Sequence, residues 1–373
     1  MITHLLVLLD KSAPSFCYYQ HNCQVPELMP VKILHDTINY ARMNHLPVTF
    51  LLGKRPLPAE YEELLDTIEH AKIVPVSLAD IYKEAIVVLE GGELQSCQEL
   101  AADPQRQVIF RLPREAIPRT AERIRSLIGK CGRLDLYLVD MEHITEDDIR
   151  EYNSQLKQAA ELVANEYKLG HATEVNILSD RMLLREMNNC NAGVIHCTAA
   201  PDGRLYICPG FYYDDSEGCA IGSVTSGPDI KNSQLLTLEH APICSRCDAY
   251  HCKRCVYLNK KITLEWNTPS RQQCVLAHLE RNSARAVQEE LRDLKPFSVQ
   301  PPIPAIGYLD PILVVTGKAA AAKNGQAQFP NRPEDLPVAL MEAEHSDNRE
   351  LLMQIYQLQR EILRKLESLH CRG

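Results

Sequence analysis

Seven short apolar runs rich in β-branched residues punctuate the first half of the chain: HLLVLLD (4–10), PVTFLLG (47–53), KIVPVSL (72–78), AIVVLEGG (85–92), QVIFRLP (107–113), LDLYLVD (134–140) and EVNILSD (174–180). Most end in Gly, Pro or Asp, which stop strands. Runs this continuously apolar suit parallel strands covered on both faces. Between them lie stretches with apolar residues at three- and four-residue steps, at 31–45, 58–71, 93–103, 114–130 and 145–168, some with acid-rich first turns. The succession predicts an α/β fold whose parallel strands are joined by right-handed helical crossovers, either a full or partial barrel or an open doubly wound sheet. Periodicity alone does not separate these. The adjacent glycines of EGGELQ (90–95) have neither dinucleotide nor Walker spacing and read as a strand-to-helix turn.

With 373 residues and 45% hydrophobic content, the chain can bury a substantial core. A formal charge of −9 argues against nucleic acid as a partner, the local pair Lys253 and Arg254 notwithstanding. The N-terminal MITHLLVLLDKSAP reads as a buried strand and not as a signal peptide, and no apolar run approaches the roughly 18 residues of a membrane span. The expectation is a cytoplasmic protein with no membrane partner. In a reducing compartment, dense cysteines hold metal more readily than they form disulfides.

Nine of the fourteen cysteines fall between Cys190 and Cys274. Usage this uneven marks a module held by ligands where apolar burial alone would fail. Cys190 and Cys208 frame a C-x12-G-x4-C pattern with Cys197 inside it, and Pro201-Asp202-Gly203 makes a hairpin turn that returns the chain so that both arms can face one site. Further on comes Cys244-x2-Cys247-x4-Cys252-x2-Cys255, then Cys274. Eight thiolates make two four-cysteine sites, which both iron–sulfur clusters and zinc accept.

This order, with NAG after the first cysteine, PDGRLYIC before Cys208 and IGSV at 221–224, resembles the seven-cysteine SPASM motif of radical SAM enzymes that modify peptides. The central run departs from the family's usual C-x2-C-x5-C-x3-C by shorter gaps. The resemblance implies two auxiliary [4Fe–4S] clusters, one on Cys190, Cys197, Cys208 and Cys255 and the other on Cys244, Cys247, Cys252 and Cys274. It leaves Cys219 as a small buried thiol. It also implies that the β/α region is a radical SAM partial barrel, whose catalytic C-x3-C-x2-C belongs in the loop after the first strand. That loop here holds only Cys17 and Cys23, five residues apart. His21, Cys97 or Cys131 could supply a third ligand; otherwise the SAM-cleaving cluster is missing and SAM is not a cofactor.

A SPASM module without that cluster is similar to the CXXX repeat peptide maturases. The likeness implies maturation of a ribosomal cysteine-rich peptide by binding or redox chemistry, the peptide lying between the β/α region and the 190–274 module. The alternatives are a non-catalytic iron–sulfur scaffold or electron-transfer partner, working with a second modifying enzyme or an electron donor, and a zinc-stabilised binding protein. Asp140 and Glu142, at the carboxyl end of the sixth run, are the catalytic candidates. His251 could ligate, but is expected to point to solvent or to bond a cluster sulfur. The organisation expected is a degenerate partial barrel at 1–185, a SPASM-like domain at 186–285, a Pro/Ala/Gly-rich linker at 286–346 and an amphipathic helix at 347–373 carrying Leu351, Ile355, Leu358, Ile362, Leu366 and Leu369.

Overall fold

The computed structural model describes residues 2–90, 100–171, 173–214 and 219–312. All seven apolar runs supply strands: β1 (His4–Leu8), β2 (Val48–Leu51), β3 (His70–Pro75), β4 (Ile86–Glu90), β5 (Asp103–Leu112), β6 (Cys131–Leu138) and β7 (Glu174–Val175). They pair in chain order and in parallel. The seventh run is strand for only two residues, because Asn176–Asp180 turns into a π-helical segment. The Asn176 side chain explains the early stop. Its Oδ1 accepts the Leu136 N–H at 2.8 Å and its Nδ2 donates to Leu136 O at 3.1 Å, replacing the backbone ladder with side-chain bonds.

On the other edge, β8 (His196–Ala199) runs parallel to β1, and β9 (Arg204–Tyr206), β10 (Ala220–Ser223) and β11 (Gly227–Pro228) continue antiparallel. The result is one open eleven-stranded sheet in the order β11-β10-β9-β8-β1-β2-β3-β4-β5-β6-β7. It curls: Leu6 of β1 and Tyr137 of β6 line one cavity although four strands separate them. The inner face carries Leu6, Leu8 and Leu51 in one apolar cluster and Ile73, Val88 and Ile109 in another, with Phe16 packed against both.

Two helices tie the cysteine-rich region to this sheet. Glu146–Lys168 starts with a capping box between Thr145 and Asp148. Arg271–Glu290 starts at Ser270, whose side chain accepts the Gln273 N–H. They are joined by Tyr152 Oη donating to Glu280 at 2.7 Å and by Lys168 bonding Glu290 at 2.5 Å. The second helix runs through the expected boundary at 285/286. The described residues up to Ala305 cluster as one compact unit. Cys97, the linker beyond 312 and the 347–373 helix lie outside the described residues.

Candidate metal centres

The loop after β1 folds into the sheet's concave side. Asp10 organises its start, one carboxylate oxygen accepting both the N–H and the hydroxyl of Ser12 at 2.7 Å. Arg111, buried on the inner face of β5, clamps the middle of the loop: Nε donates to Cys17 O at 3.1 Å, Nη2 to Tyr19 O at 2.8 Å, and Nη1 pairs with Glu90 at 2.6 Å. These bonds fix where the Cys17 thiol stands.

Cys17, Cys190, Cys208 and Cys255 line one cavity of about 270 Å³, together with Leu6, Tyr18, Tyr137 and His196. None of the four thiols is in a disulfide. Burial pushes Cys17 up to about 12, and the neighbouring Cys190 adds to the rise. Burial likewise pushes Cys255 up, reinforced by Cys17, Cys190 and Cys208. Three local structures bring the late cysteines here. The Pro201-Asp202-Gly203 turn joins β8 to β9, with Gly203 at φ +77° and Asp202 accepting the Arg204 N–H at 3.0 Å. Cys208 precedes the helix Pro209–Tyr213, and Cys255 caps the helix Val256–Thr263 by accepting the Leu258 N–H on its sulfur at 3.4 Å. These two helices meet where Gly210 faces the Tyr257 ring so closely that a Cβ would stand 2.7 Å from it.

Cys197 is not among the lining residues. It pairs with Leu5 in the β8–β1 ladder, whereas its neighbour His196 pairs with His4, and His4 and His196 both line the cavity. Successive strand residues point to opposite faces, so Cys197 faces away, towards Tyr40 in the helix Val31–Met43.

Cys244, Cys247, Cys252 and Cys274 form a second group. Cys252 is pushed well above the ordinary thiol range by burial, with Cys244, Cys247 and Cys274 adding to the effect. The Cys247 sulfur accepts the Ala249 N–H at 3.5 Å and lies 3.6 Å from His278 Nε2. The adjacent Asp248 anchors this loop, accepting from Arg281 Nε at 2.7 Å and from Arg181 at 3.2 Å. Sequence reading passed over His278, Asp248 and Arg281. The apolar spacing of Val275, Leu276 and Leu279 was the available signal for the helix that presents the first and last of them.

Arg254, 1% exposed, is within electrostatic reach of thiols of both groups. Burial lowers its pKa, while Cys244, Cys190, Cys252 and Cys255 oppose that shift. Its Nε donates to Asn189 at 3.1 Å, it also reaches Leu236 O, and its buried Nη1 has no partner. Tyr18 is likewise within electrostatic reach of Cys252 and Cys255.

The remaining candidates stand elsewhere. His21 stacks on Tyr213 at 3.8 Å, and both its ring nitrogens are engaged, Nε2 with Ala13 O at 2.8 Å and Nδ1 accepting the Cys23 N–H at 3.2 Å. Cys131 opens β6, at the end of the strand remote from the loop, its thiol directed to Leu127 O. Asp140 adopts φ +60° and accepts from Gln20 at 2.5 Å, tying the β1 loop to the end of β6. Glu142 pairs with Lys261 at 2.9 Å; burial works to raise its pKa, and the Lys261 hydrogen bond helps bring it net below the usual range. Neither carboxylate lines the thiol cavity. His251 does not point to solvent: it is 4% exposed and bonds Glu280 at 3.0 Å. Cys219 lines a separate cleft beside Phe211 and Trp266.

A larger cavity, of about 700 Å³, opens beside the β1 loop; among the described residues its lining comes from Ser12 to Arg111 and includes His21, Cys23, Lys54, Asp80 and Glu90. Cys23 faces this cavity and Cys17 the other. The loop's two thiols are therefore divided between two spaces, and among the described residues no three-thiol site of the SAM-cleaving kind is assembled.

Thiols grouped in this way are donors that zinc and iron–sulfur clusters both accept. Sulfurs on a single zinc ion stand about 3.8 Å apart, given a Zn–S distance of about 2.3 Å. Among the described residues no three His, Cys, Asp or Glu side chains converge to hold one metal ion. Four thiols around a cavity, with an orphaned guanidinium N–H beside them, fit an anionic iron–sulfur cluster.

No protein-family model and no curated sequence relative matches the chain. Among solved structures, a histidine-tagged form of anSMEcpe with bound AdoMet is similar at TM-score 0.52 and 10% identity, covering 80% of this chain and 97% of that one. Native anSMEcpe with bound AdoMet and Cp18Cys peptide gives TM-score 0.53 at 11% identity, covering 78% and 99%. The form with Kp18Cys peptide gives 0.52 at 11%, covering 78% and 100%. At such identity the likeness establishes the fold: an α/β chain resembling the radical SAM partial barrel, with a cysteine-rich region following it. Among the described residues no helix is long and apolar enough to cross a membrane.

Proposed function

We propose that this chain is a maturation protein for a ribosomally made, cysteine-rich peptide of the CXXX repeat kind, and that it carries two [4Fe–4S] clusters and does not cleave SAM. The observation that supports it most directly is the division of the β1-loop thiols. Cys17 turns to the thiol cavity and Cys23 to the larger one, which supports a reading in which the described residues assemble no open-iron cluster and the auxiliary groups carry the function. Cys244, Cys247, Cys252 and Cys274 hold one cluster; Cys190, Cys208 and Cys255 contribute to the other. The clusters supply electron transfer or thiolate affinity when bound. The protein's own residues exclude water from them, and Arg254 offsets their negative charge.

The peptide docks in the 700 Å³ cavity, which offers Lys54 as a cation, Asp80 as an anion and Cys23 as a thiol. A second reading, an iron–sulfur scaffold or electron-transfer partner for another enzyme, is favoured by Tyr18 and Arg254, each within electrostatic reach of thiols of both groups. One experiment separates these readings. Anaerobically loaded protein is incubated with reductant, SAM and a synthetic CXXX repeat peptide, and with its serine version. The proposal expects the cysteine peptide to bind more tightly and no 5′-deoxyadenosine above a protein-free control. Equal affinity for both peptides favours the scaffold; multiple turnovers of 5′-deoxyadenosine refute the reading.

A further inference from the structure

We propose that Cys17, and not Cys197, completes the first four-thiol site with Cys190, Cys208 and Cys255. The inference rests on the iron–sulfur reading for the identity of the bound group, but its geometry stands on the chain alone. A cluster ligand has to project into the space that the cluster fills. Cys17 lines that space and Cys197 does not.

The strand register makes the exclusion of Cys197 firm. Turning its side chain inward would require a one-residue slip of β8 against β1, which would carry His196 and Thr198 to the opposite face as well. Cys197 is fully buried where it stands, so the fold already uses it as a small apolar side chain. Cys17, by contrast, is held from behind. Arg111 takes the carbonyls of Cys17 and Tyr19, and Phe16 packs into both apolar clusters of the inner face. A loop residue needs such support to serve as a ligand, because an unsupported thiol would lose conformational entropy on binding.

The consequence is a change of role for the β1 loop. Its first cysteine staples the barrel to the late cysteines, so one cluster would link residue 17 to residue 255 and contribute to the stability of the whole unit. The β1 loop and the late cysteines already belong to one compact unit, so such a link would join parts that are packed together.

The test compares Cys17→Ala with Cys197→Ala in the full chain, purified without oxygen, by iron, acid-labile sulfide and Mössbauer spectra. Unmodified protein with both clusters holds about eight irons. Cys17→Ala is expected to lose about half of the iron and sulfide or to show a three-iron species, while Cys197→Ala keeps the full complement. Half-loss in Cys197→Ala, with or without loss in Cys17→Ala, overturns the assignment. If unmodified protein binds no iron and sulfide, the iron–sulfur reading fails, and the ligand geometry is still decided in metal-free protein by dibromobimane, which bridges neighbouring thiols. A bridge from Cys17 to Cys190, Cys208 or Cys255, located by peptide mass, supports the assignment. A bridge from Cys197 to any of those three, or none from Cys17, overturns it.

Discussion

Arg111 Nε donates to the backbone carbonyl of Cys17 at 3.1 Å, across 94 residues of sequence. The bond comes from the inner face of a strand and ends on a loop that has little regular structure of its own, so a side chain carries the positioning that backbone ladders provide elsewhere.

Arg111→Met should therefore release the loop. The substitution leaves the Cys17 and Tyr19 carbonyls without that donor and frees Glu90, whose side chain is 52% exposed and can hydrate. Hydrogen bonds to a charged group contribute about 1.5–3 kcal/mol each, so the two carbonyl bonds at the low end amount to about 3 kcal/mol, to which the half-exposed Glu90 pair adds little. Urea unfolding of loaded protein should show that loss, and iron should dissociate faster from the first site than from the second. Unchanged iron retention would show that the clamp is dispensable.

Arg254 places a positive charge among the thiols of both groups. A reduced cluster carries one more negative charge than an oxidised one, so the guanidinium stabilises reduction. Arg254→Gln should lower the reduction potential of both sites by on the order of 50–100 mV, the Coulomb energy of a unit charge roughly 8 Å away at an effective dielectric of about 20. Arg254→Lys, which keeps the charge, should shift it less. Redox titration followed by electron paramagnetic resonance reads both values, and an unchanged or raised potential in the glutamine variant would contradict the role.

Cys131 supplies a pH prediction away from the metal centres. Burial pushes its thiol from 9.0 up to about 12 in the folded chain, with Asp135 adding to the rise and Arg106 opposing it. The folded state thus holds the proton that the unfolded state loses first. This stabilisation is fully present below pH 9.0 and disappears as the pH rises towards about 12. Near pH 10, unmodified protein should have lost about 1.4 kcal/mol from this group relative to neutral pH. Cys131→Val should lack that component, so the stability gap between the two proteins should narrow on going from about pH 8 to about pH 10. A gap independent of pH would show that the thiol is more hydrated than its burial implies.

Local pattern determined the strands and most of the cysteine geometry. Apolar runs with β-branched residues have one low-energy answer in a covered sheet, and all seven occur as strands. The turn at Pro201-Asp202-Gly203 was legible for the same reason, since its requirements are met within a few residues. Spacing and resemblance also name Cys252 together with Cys244, Cys247 and Cys274, which stand within electrostatic reach of it. Tertiary structure decided the rest. Whether Cys197 faces the cavity depends on the register of β8 against β1, two strands nearly 200 residues apart, and nothing near Cys197 in sequence encodes it. The place of Cys17 depends on an arginine in a distant strand. The stop of β7 depends on an asparagine that bonds Leu136 across 40 residues. Short-range propensity specifies elements; side chains that reach across the fold specify which face a residue presents, and for a ligand that face is the function.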